Sequence, residues 1–347
     1  MNVYPLVFKP IFKAKIWGGR RLETNLGKAL PPGRPIGESW EIADLEDDQT
    51  VAREGPASGM TLRQLVGEWG TALTGRAPLV DGRFPLLIKF LDAHDTLSVQ
   101  VHPTAEVAAD MGGRVRVKHE AWYVLDSTQD GFIYRGVKSG VDAQGLREAI
   151  ARGRPEACMN RIAVCKGDCY YLPSGTLHAL GAGVMVAEVQ TPSDVTYRLY
   201  DFDRIDASTK KPRDLHVEQA LRCISFDSGP IPGEARSHVG SVWTTATRLV
   251  TCDAFVIERV RMIEGVEQVI AYDEMAIWIV LEGRGEINCK AARRPFAFAA
   301  GDTVMLPAGL EGESVKTLED CAWLEVTVPI RNDLADYERH DRATITR

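Results

Sequence analysis

The sequence contains no run approaching the roughly 20 consecutive apolar residues that cross a bilayer. Its first segment, MNVYPLVFKPIFKAKIW, lacks the long apolar core and the small-residue cleavage site of a secretory signal. Basic residues are outnumbered, 41 Lys and Arg against 48 Asp and Glu, and the net charge of −7 argues against a general nucleic-acid surface. We therefore expect a cytoplasmic protein that binds neither membranes nor nucleic acid. A small anionic ligand is still compatible with this charge, because it needs only one or two local cations.

Cysteine is scarce and shows no pairing pattern. The seven cysteines are odd in number and scattered, and the closest two, Cys165 and Cys169, have no second pair that would complete a zinc knuckle. We expect all seven to be reduced packing residues. The composition, with 45% apolar and 26% charged residues, is ordinary for a soluble globular protein, and 347 residues suffice for two domains.

Short strand-like runs between turn signals predict a chain that is mainly β, with a few helices. Apolar residues at helical spacing predict a helix over residues 60–76, and the runs 84–93 and 96–103 predict a buried hairpin. Further segments follow in order: short helical insertions at 104–117 and 141–153, a strand at 121–126, strand signals every 8 to 12 residues from 162 to 200, a helix at 216–223, a linker at 228–240, a second β-rich segment at 241–330 and a polar tail at 331–347.

An internal repeat organises this chain into two similar halves. GDCYYLPSGTLH at 167–178 and GDTVMLPAGLEG at 301–312 share Gly-Asp, Pro and Gly at the same spacing, and EAWYVL at 120–125 is echoed by AIWIVL at 276–281. Two polar residues of the first copy are missing from the second, since Ala276 replaces Glu120 and Gly312 replaces His178. The repeat predicts two related β-units, of which only the first carries a polar site.

Residues with metal-ligand chemistry cluster in the first copy. Gln100 and His102 are two apart on a strand-like run, so their side chains leave the same face, and His178 follows a tight Pro-Ser-Gly turn. If these strands line one barrel with Glu120, two imidazoles, a carboxylate and an amide oxygen converge on one point. Such donors predict one divalent ion per chain and suit zinc, although two histidines and a carboxylate also suit non-haem iron.

Longer strings of the sequence resemble a known family. The pattern G-x5-P-x-G-x2-H resembles the second motif of cupins, and FPLLIKFLDAHDTLSVQVHP, KHEAWYVLD and YYLPSGTLHALGAGVMVAEVQTPSDVTYRLYDFDR resemble type I mannose-6-phosphate isomerases of the short bacterial form. The resemblance covers most of residues 5–225. It implies a mainly β bicupin, two β-barrel or jelly-roll units with a small helical element. The metal-binding unit would span 1–103 and 118–225, and the metal-free unit would span 241–330.

The resemblance also implies residue roles. The family's zinc ligands match Gln100, His102, Glu120 and His178, and its Ser-Asp-x-x-x-Arg segment matches Ser193 to Arg198. The remaining candidates are Lys118, Glu188 and Asp194 for catalysis, and Ser98, Lys118, Arg198 and Trp17 for substrate binding. The proton-transferring base stays open among Glu188, Asp194 and Lys118, and Trp17 suits a stacking face or the core equally. His119 stands where many relatives have Pro or Thr.

The resemblance thus predicts a zinc enzyme that interconverts mannose 6-phosphate and fructose 6-phosphate through a cis-enediol or enediolate. Its partner would be a small sugar phosphate, and the chain would be a monomer or a weak homodimer. Two alternatives stay open: a metal-dependent bicupin dioxygenase, and a non-catalytic cupin that binds a sugar phosphate. A dioxygenase would need a further histidine where Gln100 stands.

Overall fold

The structure, a computed structural model, describes residues 3–112, 115–206, 209–226, 238–270, 272–289 and 294–330. The predicted polar tail at 331–347 and most of the predicted linker lie outside these residues. The first half contains thirteen strands: β1 (Leu6–Lys9), β2 (Ile11–Lys13), β3 (Glu38–Ile42), β4 (Val51–Ala52), β5 (Leu87–Ala93), β6 (Val99–Val101), β7 (Glu120–Ser127), β8 (Phe132–Val137), β9 (Met159–Ala163), β10 (Cys169–Leu172), β11 (His178–Leu180), β12 (Val184–Gln190) and β13 (Tyr197–Tyr200).

The second half is built of strands alone in its described part. They are β14 (His238–Gly240), β15 (Thr244–Thr251), β16 (Val256–Met262), β17 (Glu267–Val269), β18 (Ala276–Glu282), β19 (Arg284–Asn288), β20 (Phe296–Ala299), β21 (Thr303–Leu306), β22 (Ser314–Thr317) and β23 (Cys321–Thr327). The helices all lie earlier in the chain: α1 (Arg21–Leu26), α2 (Leu62–Trp69), α3 (Thr71–Thr74), α4 (Ala105–Met111), α5 (Ala143–Ala151), a 3-10 turn (Pro155–Cys158) and α6 (Val217–Cys223). The prediction of a mainly β chain is confirmed.

The strands form four sheets. Their orders are β13-β6-β11-β8-β9, β10-β7-β12-β5-β3-β2, β14-β15-β16-β23-β18-β21-β1-β4 and β17-β22-β19-β20. One apolar cluster joins the five- and six-stranded sheets, a second joins the six- and eight-stranded sheets, and a third joins the eight- and four-stranded sheets. The sheets are therefore stacked in that order, because each cluster fills the space between two neighbours.

The six-stranded sheet is buried on both faces, and this explains its sequence. Successive side chains point to opposite faces, so Trp122 enters the cluster shared with the five-stranded sheet while Tyr123 enters the one shared with the eight-stranded sheet. Strands β5 and β12 are buried at every position. The charged residues Lys89 and Glu188 lie within these strands, where burial of a charge is costly unless the charge is paired. Two charged residues paired across a sheet that is buried on both faces indicate a functional site on the face that carries them.

The predicted repeat is present in the backbone. Gly167 and Gly301 have φ of 94° and 92°, a region that favours glycine. In both copies the aspartate that follows accepts a backbone hydrogen bond from three residues upstream, Asp168 from Cys165 over 2.9 Å and Asp302 from Ala299 over 3.0 Å. The two copies therefore use one turn, closed by the same side-chain hydrogen bond.

The helix expected over residues 60–76 is confirmed as α2 followed by α3. Thr61 and Gln64 form a capping box that begins α2, and Gly70 separates the two helices with φ of 49°. Helices α4 and α5 lie in the two segments predicted as helical insertions. No helix in the described ranges combines the length and apolar character needed to cross a membrane. None of the seven cysteines, all of which lie in the described ranges, forms a disulfide.

Two expectations differ from the structure. The predicted hairpin of 84–93 with 96–103 is wrong, because β5 belongs to the six-stranded sheet and β6 to the five-stranded sheet. The segment 1–103 also does not lie wholly in the first unit, since β1 pairs with β21 and β4 pairs with β1 at the edge of the eight-stranded sheet. Alternating apolar residues indicate which face of a strand is buried, but they do not identify its partner strand.

Candidate metal centre and substrate cleft

Three of the four predicted metal ligands converge on one buried point. The ligand atoms of His102, Glu120 and His178 all lie within 4.8 Å of one another. His102 Nε2 is 3.1 Å from Glu120 Oε1, and His178 Nε2 is 3.3 Å from Glu120 Oε2. Gln100 adjoins them, with its amide Nε2 3.3 Å from His178 Nε2. A 180° rotation of this amide presents its oxygen in the same place, so all four predicted ligands are within reach of one ion.

Strand register brings these residues to one face. His178 lies directly opposite Gln100 on the neighbouring strand, and Gln100 lies directly opposite Arg198 on the next. Side chains that face each other across antiparallel strands share a face of the sheet. Arg198 is therefore placed in one row with two of the candidate ligands.

The Pro-x-Gly turn before His178 fixes the start of β11. Gly175 has φ of 86°, and its backbone N–H donates to the carbonyl of His102 over 2.9 Å. A Cβ atom at this position would lie 2.5 Å from Ser225 Oγ and 2.9 Å from Thr104 Cγ2. Glycine is required here both by the backbone conformation and by the close approach of its neighbours.

The two imidazoles are oriented as metal ligands. His102 Nδ1 donates to the carbonyl of Val195 over 2.9 Å, and His178 Nδ1 donates to the carbonyl of Thr176 over 2.8 Å. These bonds place the ring protons on Nδ1 and turn the Nε2 lone pairs toward Glu120. Burial, followed by the nearby Lys118, lowers the pKa of His102 to about 4 and keeps the ring neutral.

This arrangement fits a divalent cation. Two imidazole lone pairs face a carboxylate with no proton between them, and His102 Nε2 and Glu120 Oε2 are buried without a hydrogen-bond partner among the described residues. Buried polar atoms without a partner are costly, whereas one cation would satisfy all of them. Nitrogen and oxygen donors of this kind suit zinc and also iron.

Lys118 holds Glu120 in its charged form. Burial alone would raise the pKa of Glu120, but Lys118 and then His102 lower it well below the usual range. Lys118 Nζ lies 2.6 Å from Glu120 Oε1, and both residues are buried.

A cleft with a volume of about 230 Å³ opens beside the metal point. It brings together every predicted site residue except the two histidines: Trp17, Ser98, Gln100, Lys118, Glu120, Glu188, Asp194 and Arg198. Trp17 also packs in the apolar cluster beneath the cleft, so it serves the core as well as the lining. Ser98 is buried and Asp194 is exposed. The structure assembles these residues, while their individual roles stay predictions.

Glu188 lies in a row of four residues that runs across four strands: Trp122, Glu188, Lys89 and Trp40. Trp122 Nε1 donates to Glu188 Oε2 over 2.8 Å, and Lys89 Nζ is 3.3 Å from Glu188 Oε1. Burial, and then the charge of Glu120, raises the pKa of Glu188. Burial opposes the charge of Lys89, but Glu188 and Glu38 raise its pKa overall. The result is a fixed carboxyl group at the cleft whose proton is held more tightly than usual.

Six polar cleft residues were not identified from the sequence: Lys15, Glu38, Lys89, Thr196, Arg213 and His216. Two of them carried a signal. Lys89 interrupts the apolar run LLIKFL, and Glu38 lies in GESWEIAD, a string used only for its family resemblance. Arg213 and His216 lie in or beside a stretch rich in Lys, Pro and Asp, whose composition is that of a surface loop.

Glu38 forms a second charged cluster at the cleft. It accepts a hydrogen bond from Trp40 Nε1 over 2.6 Å, and Lys15 Nζ lies 3.0 Å from its Oε1. Burial would raise its pKa, but Lys15, Lys89 and the indole together lower it to about 2. The cleft wall next to Trp17 therefore carries a charged carboxylate that is paired with Lys15 and hydrogen-bonded by Trp40.

Comparison with known proteins places this architecture. The sequence profile described as phosphomannose isomerase type I, catalytic domain, matches residues 6–128. Mannose-6-phosphate isomerase ManA of Bacillus subtilis (strain 168) is 35% identical over 322 residues, which cover 92% of this chain and 98% of that protein. The crystal structure of the mannose 6-phosphate isomerase from Bacillus subtilis has a TM-score of 0.84 at 31% identity, covering 94% of this chain and 100% of that chain.

A crystal structure of mannose 6-phosphate isomerase bound with zinc and yttrium has a TM-score of 0.68 at 15% identity, over 94% of this chain and 100% of that one. At this identity the likeness concerns the fold alone. The cupin-type β fold that the resemblance implied is confirmed by the Bacillus subtilis structure. The family resemblance read from the sequence is confirmed by the relative that matches nearly end to end. The chain belongs to the type I phosphomannose isomerase family.

Proposed function

We propose that this chain is a zinc-dependent aldose–ketose isomerase that interconverts mannose 6-phosphate and fructose 6-phosphate. The observation that carries the proposal is the convergence of His102, Glu120 and His178 at the end of a cleft that also contains Lys118, Glu188 and Arg198. The substrate is taken from the names of the relatives, which the chain matches over most of its length.

One zinc ion per chain would be held by Gln100, His102, Glu120 and His178. When bound, zinc supplies Lewis acidity that stabilises negative charge developing on substrate oxygens, an effect of several kcal/mol. The preference for zinc over iron is supported by the zinc-bound relative of the same fold and by the absence of a further histidine at position 100. The carbonyls that receive the histidine Nδ1 protons keep each Nε2 lone pair directed at the site.

The reaction moves a proton between carbons 1 and 2 of the open-chain sugar through a cis-enediolate. We assign this transfer to Glu188, since the carboxyl group is buried at the cleft, is fixed by Trp122 and has a raised pKa. A base whose pKa lies closer to the working pH is a better proton carrier in both directions. Asp194 is exposed, and Lys118 is engaged by Glu120, so neither is fixed and available in the same way.

The remaining side chains bind and orient the sugar. Lys118 directs a positive charge at the oxygens next to Glu120, while Arg198 offers a planar guanidinium at the other side of Gln100. Ser98 presents a hydroxyl on the Gln100 face of the same strand segment, and Trp17 provides an apolar wall. Asp194 lies at the rim, where we assign it to a sugar hydroxyl.

The two alternatives make different demands. A dioxygenase consumes O2 and would have no use for the cationic Lys118 and Arg198 in its cleft. A non-catalytic binding protein would hold the sugar phosphate without converting it. Both are separated from the isomerase by product analysis.

Product analysis of the zinc-loaded protein tests the proposed isomerase function. Zinc-loaded protein is incubated with mannose 6-phosphate, and the sugar phosphates are followed by NMR while dissolved O2 is recorded with an electrode. We expect fructose 6-phosphate to accumulate to an equilibrium mixture with no O2 consumed. Unchanged mannose 6-phosphate, with or without O2 uptake, would overturn the proposal.

A further inference from the structure

We propose that Asp201 is a positioning residue that holds Arg213 at the cleft, and that Arg213 and Arg198 together bind the phosphate group of the substrate. This inference rests on the proposed function for the identity of the substrate. It assigns roles to two residues that lie outside the zinc site and outside the proton-transfer group.

Asp201 is the centre of an arginine cluster. It follows β13, is buried, and accepts hydrogen bonds from Arg213 Nε over 2.8 Å and from Arg213 Nη2 over 2.5 Å. Arg204 Nη2 donates to the same carboxylate over 2.5 Å. The two parallel bonds to Arg213 form the forked pair that fixes both the position and the plane of a guanidinium.

Arg204 and Arg213 differ in the hydrogen-bond donors that they leave free. Arg204 Nε donates to the carbonyl of Asp201 over 3.1 Å, and its Nη1 donates to the carbonyl of Thr96 over 2.5 Å. Arg204 is not among the residues that line the cleft. Arg213 lines the cleft, and its Nη1 forms no hydrogen bond with any residue in the described ranges. Arg213 therefore offers an unused edge to a ligand, whereas Arg204 only supports Asp201.

Arg198 offers a second unused edge beside it. Its Nη1 donates to the carbonyl of Asp214 over 2.9 Å, while its Nε is buried and has no partner among the described residues. Its backbone is clamped by His216, whose N–H donates to the Arg198 carbonyl over 2.7 Å. Burial, and then the charge of Arg213, lowers the pKa of Arg198, so the two guanidinium groups repel each other and an anion between them would relieve the repulsion.

The backbone directly after Asp201 adopts a strained turn. Phe202 and Asp203 have φ of 55° and 52°, and the N–H of Arg204 donates to the carbonyl of Asp201 over 3.2 Å. This is a tight turn with two consecutive non-glycine residues in the left-handed region, which side chains rarely adopt. Such strain persists where the surrounding contacts enforce it, and here the contacts are those of Asp201 with Arg204 and Arg213.

The position of the cluster matches the dimensions of the substrate. Arg198 is one strand from Gln100 and two strands from His178, which is roughly 10 Å at the usual strand spacing. A hexose 6-phosphate has its reacting carbons 1 and 2 at one end and its phosphate at the other. A phosphate dianion between Arg198 and Arg213 thus leaves the reacting carbons near the metal point.

The test uses five variants of the full chain: Arg213→Ala, Arg213→Lys, Asp201→Asn, the double variant Asp201→Asn with Arg213→Ala and, as matched control in the same turn, Asp203→Asn, whose carboxylate is exposed. Inorganic phosphate is titrated into each protein by calorimetry, and KM and kcat are measured for mannose 6-phosphate. We expect Arg213→Ala to raise both the phosphate Kd and KM by about 10- to 100-fold, with kcat within about threefold. Arg213→Lys loses the fork and gives a smaller increase in both.

Asp201→Asn is expected to raise both constants, and to have no further effect when Arg213 is already alanine, since Asp201 acts through Arg213. Equal effects of Asp201→Asn in the two backgrounds would overturn its role as a positioning residue. An unchanged phosphate Kd in folded Arg213→Ala and Arg213→Lys would overturn the phosphate site. Phosphate binding that depends on Arg213 in a protein without isomerase turnover would support the site and count against the proposed function alone.

Discussion

Trp122 Nε1 donates a hydrogen bond to Glu188 Oε2 over 2.8 Å, and the same relationship recurs in the second unit between Trp278 and Glu325 over 3.2 Å. In both units the tryptophan and the glutamate lie directly opposite each other on neighbouring strands. The indole–carboxylate pair is therefore a shared feature of the two units. What differs is its surroundings.

In the first unit Glu188 pairs with Lys89, whose Nζ lies 3.3 Å from its carboxylate. Glu188 also lines the cleft. In the second unit Glu325 contacts the hydroxyl of Tyr272, and Trp278 stacks on Trp323 with ring centroids 4.6 Å apart. Aromatic side chains thus surround the pair in the second unit, where Ala276 and Gly312 stand in place of Glu120 and His178.

This duplication gives the proton-transfer assignment a built-in control. Glu188→Gln keeps the shape and the acceptor for Trp122 but cannot take up a proton, so kcat should fall by about 10²- to 10⁴-fold with metal content unchanged. Glu325→Gln makes the identical change in the second unit and should leave kcat within about twofold. Steady-state kinetics with metal analysis of both proteins make the comparison. A Glu188→Gln protein with nearly normal kcat would exclude Glu188 as the base.

Removing one imidazole should remove the metal. His178→Ala deletes a ligand itself. Zinc affinity should therefore fall by more than the roughly 10- to 100-fold that is typical when a residue hydrogen-bonded to a metal ligand is replaced. His94→Ala, an exposed histidine away from the cluster, is the control and should bind zinc normally. Zinc affinity is measured by competition with a chromophoric chelator. Equal affinities for the two variants would place the metal elsewhere.

The Pro-x-Gly turn offers a test of how the fold positions a ligand. Gly175→Ala introduces a methyl group 2.5 Å from Ser225 Oγ at φ of 86°, and Gly33→Ala introduces one at φ of 78° with nothing within 4 Å. Both should lose about 1 kcal/mol of unfolding free energy from backbone strain, and Gly175→Ala should lose more from the clash. Only Gly175→Ala should weaken zinc binding, because His178 follows the turn.

Chemical denaturation measures the first effect and chelator competition the second. If both glycine variants bind zinc like the unchanged protein, the turn does not control the ligand.

The pKa of Glu38 predicts a pH dependence of stability. Its value of about 2 in the folded protein lies below the ordinary 4.5, so its contribution is complete above about pH 5 and declines as the pH falls from about 4.5 toward 2. The difference in unfolding free energy between the unchanged protein and Glu38→Gln should therefore be about 1 kcal/mol smaller at pH 3.5 than at pH 7. Urea denaturation of both proteins at the two pH values measures it. A difference that is constant or grows on acidification would contradict the assigned charge cluster.

The sequence predicted those features that depend on local pattern. The repeated turns follow from Gly-Asp and Pro-x-Gly spacing, the buried face of α2 follows from helical spacing, and the ligand pair Gln100 and His102 follows from strand alternation. Each of these is encoded within about a dozen residues.

The features that were missed depend on partners far apart in the chain. Strands β5 and β6 look like a hairpin because both are apolar, yet each pairs in a different sheet. Strand pairing brings Lys89 to Glu188, and the left-handed turn after Asp201 lies between that aspartate and Arg213, which binds it. Neither contact can be inferred from the residues that flank Lys89 or Arg213 in the sequence. A sequence pattern indicates the face on which a residue lies but not the side chain that it meets there.

Isomerisation by this chain is proposed to depend on one zinc ion held at the site of His102, Glu120 and His178. The direct measurement strips the protein with a chelator, restores zinc in steps, and records bound metal and fructose 6-phosphate formation from mannose 6-phosphate on the same samples. We predict that turnover is lost on stripping and returns in proportion to zinc, reaching its maximum at one ion per chain. Full turnover by the metal-free protein would contradict the account.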